Sequence, residues 1–265
     1  MREPRSILIT GASSGIGAAL ARGYARPGTT LALGGRDSAR IEVVAEQCRA
    51  AGATASWAAR DVADRAGLAA WIADADAAAP LDLVIANAGI SAGTGGAGES
   101  PVQARRILAV NIDGVFNTLH PAIAHMIARP RPPGGVRGQL AIVSSLAAFR
   151  GFPGAPAYSA SKAAVKAYGE ALRGDLAPCG ILVSVVCPGF VASPMTARNR
   201  FFMPFRVTAP RAAAIIARGL AGNRARIAFP WPLYAGAWIA GALPPALVDR
   251  VLVRLPKKSS GLPEG

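Results

Sequence analysis

Seven short runs of Val, Ile, Leu and Ala alternate with longer stretches of helical spacing, and this order limits the fold more than any other feature of the chain. The runs are Ser6–Thr10, Thr30–Leu33, Thr54–Ala58, Leu83–Ala86, Gln139–Ser144, Leu182–Val186 and Ile227–Phe229. The helical stretches lie at Gly15–Arg26, Ser38–Ala51, Asp64–Ala77, Pro101–Ile127, Tyr158–Leu176 and Pro210–Ala221. The short runs are continuously apolar rather than alternating, as strands are when both faces of a parallel sheet are covered. Strand–helix repetition with right-handed crossovers then predicts an α/β protein: a doubly wound parallel sheet between two helical layers.

With 265 residues, of which 52% are hydrophobic and 17% charged, the chain can enclose a sizeable core. The expected organisation is a catalytic domain over 1–229, a C-terminal apolar and basic helical extension over 230–255, and a disordered tail over 256–265. Cys48, Cys179 and Cys187 have neither CxxC nor metal spacing, and His120 and His125 are the only imidazoles. Buried thiols in a reducing compartment are expected, with no metal site. The first residues hold no apolar signal region, and no run approaches the ~18 apolar residues of a spanning helix, so a cytoplasmic location is expected. The net charge is +14, and from Arg198 to Lys258 there are 11 basic residues against one acid, Asp249. No zinc-finger spacing, arginine-rich tract or RNA-binding aromatic motif accompanies the excess, so nucleic acid is not an expected partner. Trp231, Trp238, Ile239, Leu247 and Val251 are interleaved with these arginines. That mixture reads as a membrane-surface or partner-facing segment, or as a solvated basic face beside a buried helix.

Two motifs carry chemistry. Thr10-Gly-Ala-Ser-Ser-Gly-Ile-Gly17 joins the first strand to the first helix. Glycines there let the backbone approach a pyrophosphate, and the helix N-terminus supplies oriented N–H groups. The GxxxGxG spacing of Gly11, Gly15 and Gly17 differs from the common dinucleotide fingerprint. At the end of the second strand, Gly35 stands where an acid would bind ribose hydroxyls in an NAD site, and Arg36 follows it. A guanidinium can pair a phosphate through two hydrogen bonds, so NADP (NADPH) is expected over NAD. Asp37 reads as a helix cap. In the second motif, Tyr158 and Lys162 are four residues apart and share a helical face. An ammonium beside a phenol lowers its pKa toward the range useful for general acid–base catalysis. Ser145, at the end of an apolar run, adds a hydroxyl.

With Asp61-Val62, Asn87-Ala88-Gly89, Asn111 and Pro188-Gly189 also in order, the chain resembles the classical short-chain dehydrogenases/reductases from about Ser6 to Thr196, more weakly to Phe229. The resemblance implies a Rossmann fold and an oxidoreductase acting on a small ketone or alcohol. Tyr158 would be the acid/base, and Lys162 would tune it and bind the nicotinamide ribose. Ser145 would polarise the substrate oxygen, and Asn111 would hold a water of a proton relay. Gly11, Ser13, Ser14, Gly15, Ile16 and Gly17 would cradle the phosphates, while Asp61 and Val62 would contact the adenine. Asn87, Ala88 and Gly89 would wall the cofactor, and Pro188, Gly189, Val191 and Ser193 would line its nicotinamide end. Ser193 replaces a frequent threonine of the family. Residues 194–205 correspond to the substrate lid. There Phe201 and Phe202, with Phe149 and Phe152, would form an apolar pocket for a lipophilic substrate, or else close the lid on the core. The helical stretches 101–127 and 158–176 would form a homodimer interface. A sugar-nucleotide epimerase or dehydratase would need a larger substrate domain. A non-catalytic NADP-binding scaffold would not need a tuned phenol.

Overall fold

The structure, a computed structural model, describes residues 3–96, 98–131, 135–199, 201–253 and 258. Seven parallel strands form one sheet in the order β3-β2-β1-β4-β5-β6-β7. They are β1 (Ser6–Thr10), β2 (Thr30–Gly35), β3 (Thr54–Ala59), β4 (Leu83–Ala86), β5 (Gly138–Val143), β6 (Ile181–Pro188) and β7 (Arg226–Phe229). The expected doubly wound α/β architecture is therefore present, and each predicted strand appears in place.

Successive side chains of a strand point to opposite faces, and the core divides accordingly. Ile7 and Ile9 of β1 pack with α1 (Gly15–Tyr24), α2 (Ser38–Ala50) and α8 (Ala209–Ala221) on one face. Leu8 packs on the other face with α3 (Arg65–Ala78), α5 (Gly114–Ala128) and α6 (Pro156–Leu176). Helix starts are chemically marked. Asp37 accepts from Arg40 N at 3.0 Å and Asp64 from Gly67 N at 3.1 Å, each occupying an otherwise unpaired first-turn donor. The winding direction reverses between β1 and β4, so the ends of Thr10 and Ala86 open the crevice where such sheets bind ligands.

One predicted helix differs. The stretch Pro101–Ile127 is α4 (Pro101–Leu108), a π-helical turn over Ala109–Asp113, and then α5. The wider turn carries Asn111, whose side chain bonds outside the helix. A π-bulge allows this without ending the helix, and the apolar spacing alone gives no sign of it. A short helix, α7 (Pro194–Ala197), opens the lid segment. The extension forms α9 (Trp231–Ala242) and α10 (Pro245–Leu252). Among the described residues, no helix is long and apolar enough to cross a membrane. The tail expected to be disordered lies outside the described residues except for Lys258, whose side chain reaches the crevice.

Candidate active site

The turn after β1 is built to stay close to the sheet. Gly11 and Gly15 have φ of 67° and 55°, a region that side chains disfavour. A Cβ on Gly17 would lie 2.3 Å from Gly11 O. Asn87 Nδ2 donates to the carbonyls of Thr10 and Gly11 at 2.9 and 3.1 Å, and Asn87 N and Ala88 N donate to Thr10 Oγ1 at 3.1 and 3.3 Å. The end of β4 thus braces the turn of β1. Ile16 packs on the core, and Ser14 caps α1 without giving its side chain to a first-turn amide. Those N–H groups have no partner within the helix, so the turn fits a pyrophosphate.

Next to this turn, a Cβ on Gly35 would meet Ile41 Cδ1 and Ser13 Cβ at 3.2 Å each. The acid that would bind ribose hydroxyls is absent and has little room there. Arg36 is exposed and close enough to Asp61 to lower its carboxyl pKa. Burial works against that lowering, while the Ala63 amide and the Arg106 guanidinium support it. Arg106 donates to Asp61 Oδ2 at 2.6 Å, and Asp61 Oδ1 accepts from Ala63 N at 2.9 Å. Asp37 is the expected cap and also pairs with Arg40 at 2.9 Å. Arg40 lines a cleft of about 410 Å³ with Ser13, Ser14 and Val43. Neither Arg40 nor Arg106 was singled out from the sequence, because surface arginines on helices carry no motif. Val62 is buried, and its carbonyl accepts from Asn117 Nδ2 at 2.9 Å.

Ser145, Tyr158, Lys162 and Asn111 come together at the ends of β4 and β5. Ser144 Oγ donates to Lys162 O at 2.7 Å, and Lys162 Nζ donates to Val143 O at 2.9 Å, so β5 and α6 are joined twice within one turn. Ser145 Oγ accepts from Ala147 N at 3.1 Å, and the Ser145 hydroxyl is near enough to Tyr158 to act on its pKa. Lys162 Nζ lies 5.9 Å from the Tyr158 ring centroid. Asn111 is fully buried. Its Oδ1 accepts from Ile90 N at 2.8 Å, and its Nδ2 donates to Ile90 O at 3.0 Å and Ser161 Oγ at 2.9 Å. A Cβ on Gly89 would lie 3.2 Å from Asn111 Oδ1 and 3.3 Å from Lys162 Nζ, so the glycine leaves the space between them open.

The electrostatic balance differs from the expected one. Burial raises the Tyr158 pKa, the neighbouring Ser145 hydroxyl opposes it, and Lys162 is not what sets it. Burial also brings Lys162 down to about 8. The sequence spacing places the two groups on one face but does not reveal how dry that face is. At the other side of the crevice, Gly189 N donates to Phe229 O at 2.7 Å, and Val191 bridges to Val207. Pro188 ends β6, with its carbonyl 3.5 Å from Ser145 Oγ. Ser193 caps α7 in a reciprocal arrangement with Thr196, and a Cβ on Gly15 would lie 3.1 Å from its Cβ. The segment expected to be the lid therefore begins beside the Gly11–Gly17 turn.

Among the described residues, the four phenylalanines expected in a pocket make no ring contact with each other. Phe149 packs edge-on against Tyr234 at 5.5 Å and lies between the Lys166 and Arg226 cations. Phe201 meets Phe190 at 6.1 Å, while Phe202 is 87% exposed. Phe152 N donates to Ser159 Oγ at 3.2 Å at the start of α6. Lys258, also without a sequence signal, has its Nζ 4.5 Å from the Tyr158 ring centroid. A hundred residues of sequence separate the two, and no pattern marks the lysine.

Residues 5–202 match the family described as short chain dehydrogenase. An "Uncharacterized oxidoreductase" of Myxococcus xanthus is 39% identical over 253 residues, 95% of this chain and 97% of that one. The "Monensin polyketide synthase putative ketoacyl reductase" of Streptomyces virginiae is 36% identical, with 74% of each chain covered. A short chain dehydrogenase/reductase from Burkholderia phymatum, solved in complex with NAD, superposes with a TM-score of 0.81 at 23% identity, covering 98% of this chain and 99% of its own. The chain belongs to the classical short-chain dehydrogenases/reductases, a family of NAD(P)-dependent oxidoreductases.

Proposed function

We propose that the chain is an NADP-dependent carbonyl reductase or alcohol dehydrogenase in which Tyr158 is the acid/base. The observation that carries this reading is the cluster of Tyr158 with the buried Ser145 and Lys162, with Lys162 Nζ 5.9 Å from the Tyr158 ring centroid, next to a turn shaped for a pyrophosphate. The bound nicotinamide supplies or accepts the hydride. Tyr158, kept protonated by burial, gives its proton to the carbonyl oxygen as charge develops there. Ser145 holds that oxygen. The Lys162 ammonium favours the tyrosinate left behind, and the buried Asn111 amide orders the route by which the proton is replaced. Gly11–Gly17, Asn87, Gly189 and Ser193 surround the cofactor.

The preference for NADP rests on the crowded, acid-free position of Gly35, on the exposed Arg36 that follows it and on Arg40, which lines the cleft with Ser13 and Ser14. Fluorescence titration of NADPH and NADH, on the wild type and Arg36→Asp, tests it. NADPH preference that is lost in the variant is the expected result, and equal or NADH-favoured wild-type binding refutes it. Turnover of short- and long-chain ketones tests the lipophilic substrate, and no gain with chain length would count against it.

A second reading concerns α9 and α10. Trp231, Trp238, Ile239, Leu247 and Val251 are all more than half exposed, which supports contact with a membrane surface or a partner. Binding to anionic liposomes should then occur and be lost in Trp231→Ser/Trp238→Ser. The α5–α6 face, where His120 Nε2 and Tyr168 OH lie 2.7 Å apart, is the surface for homodimer formation.

A further inference from the structure

The crevice contains a second ammonium that the reaction described above does not use. Lys258 Nζ donates to Ser91 Oγ at 2.7 Å and stands over the Tyr158 ring, closer to its centroid than Lys162 does. Its seat is shaped for it. Gly95 N donates to Lys258 O at 3.0 Å, and a Cβ on Gly93 would lie 2.3 Å from both the Lys258 Cβ and its carbonyl oxygen. The Gly-rich segment 91–95 is therefore a support for this side chain.

Neither lysine has a carboxylate partner among the described residues. Burial has brought both to about 8, and the Lys258 charge adds to the lowering of Lys162. Two ammoniums beside one phenol ring in a largely buried site are disfavoured unless an anion joins them. The close contacts of Lys258 are with Ser91, Gly93, Gly95 and Tyr158, and none is with the Gly11–Gly17 turn. An anion that pairs with Lys258 would therefore sit by Tyr158 and the reacting carbonyl rather than at the Gly11–Gly17 turn.

We infer that Lys258 is a specificity-determining residue that binds a carboxylate on the substrate, so the preferred substrates are oxo acids with the carboxylate a few carbons from the carbonyl. This inference rests on the carbonyl reductase reading and narrows it. The lipophilic part of the substrate faces the lid, while its acidic end meets Lys258 and Ser91. A lysine at this place also selects against neutral ketones, because binding one leaves the ammonium unpaired.

Two measurements test the inference. The first is NADPH-dependent turnover of levulinate and of its ethyl ester, read as the ratio of their kcat/KM values in the wild type, Lys258→Met, Lys258→Arg and Gly93→Ala. The ratio should favour the acid in the wild type. It should fall at least tenfold in Lys258→Met and Gly93→Ala, and be partly restored in Lys258→Arg. A wild-type preference for the ester, or a ratio unmoved by Lys258→Met, overturns the inference while leaving the reductase reading intact. The second is calorimetric titration of butyrate into the full-length wild type and Lys258→Met, which needs no turnover. Weaker binding to the variant supports the carboxylate site even if every carbonyl fails as a substrate. Equal affinity overturns it.

Discussion

Replacing Lys162 by Met should make the protein inactive and more stable, by an amount that depends on pH. The Lys162 side chain is 4% exposed, and its pKa falls from 10.5 to about 8 on burial. Between these two values the unfolded chain holds a proton that the folded chain does not, so stability rises with pH across that window. Below it the folded state carries the charge at a cost of about 3 kcal/mol at pH 7, decreasing to about 2 kcal/mol at pH 9. Met keeps the length of the stem but loses the bond to Val143 O, a loss of about 1–2 kcal/mol. The net gain is about 1–2 kcal/mol at pH 7 and about 1 kcal/mol less at pH 9. In a chain of this size that is a rise in Tm of roughly 2–6 °C at pH 7. Differential scanning calorimetry at the two pH values measures it directly. A variant less stable than the wild type at both, or a difference that does not change with pH, would refute the account of Lys162 as a buried ammonium held there at the expense of the fold.

Ser145→Ala should lower kcat by about 100-fold or more with little change in the melting curve, as expected for loss of one donor to the developing oxyanion. Gly17→Val should abolish NADPH binding in the fluorescence titration, because its side chain would collide with Gly11 O and Asn87 Nδ2. Asp37→Ala should lower stability by about 1 kcal/mol in urea unfolding, through loss of the cap on Arg40 N. If Asp37→Ala instead weakens NADPH binding without destabilising the fold, the cap assignment is wrong.

The strand positions were legible because a parallel sheet covered on both faces demands continuous apolar runs, and Ile7, Leu8 and Ile9 show both faces filled. The phosphate turn and the Ser145, Tyr158 and Lys162 set were legible as local spacings. What stayed hidden depends on contacts between distant parts of the chain. The π turn at Asn111 exists because its side chain binds Ile90 and Ser161, which no helical periodicity shows. The Tyr158 environment depends on burial, whereas spacing shows only proximity. Phe149 looked like a pocket residue, yet α9 arrives from far along the chain to cover it. Lys258 reaches the crevice from a segment whose composition suggested no structure at all.

The double join between β5 and α6, Ser144 to Lys162 and Lys162 to Val143, fixes the reacting hydroxyls from both ends of the connecting loop. Exposed positions of that loop, such as Gly151 and Pro153, can then change with Ser145 and Tyr158 still anchored at its two ends. Chemistry and selectivity are thereby uncoupled in inheritance: a lineage can explore new substrates through that loop while the proton-transfer geometry is held by two bonds, each from a side-chain donor to a backbone carbonyl.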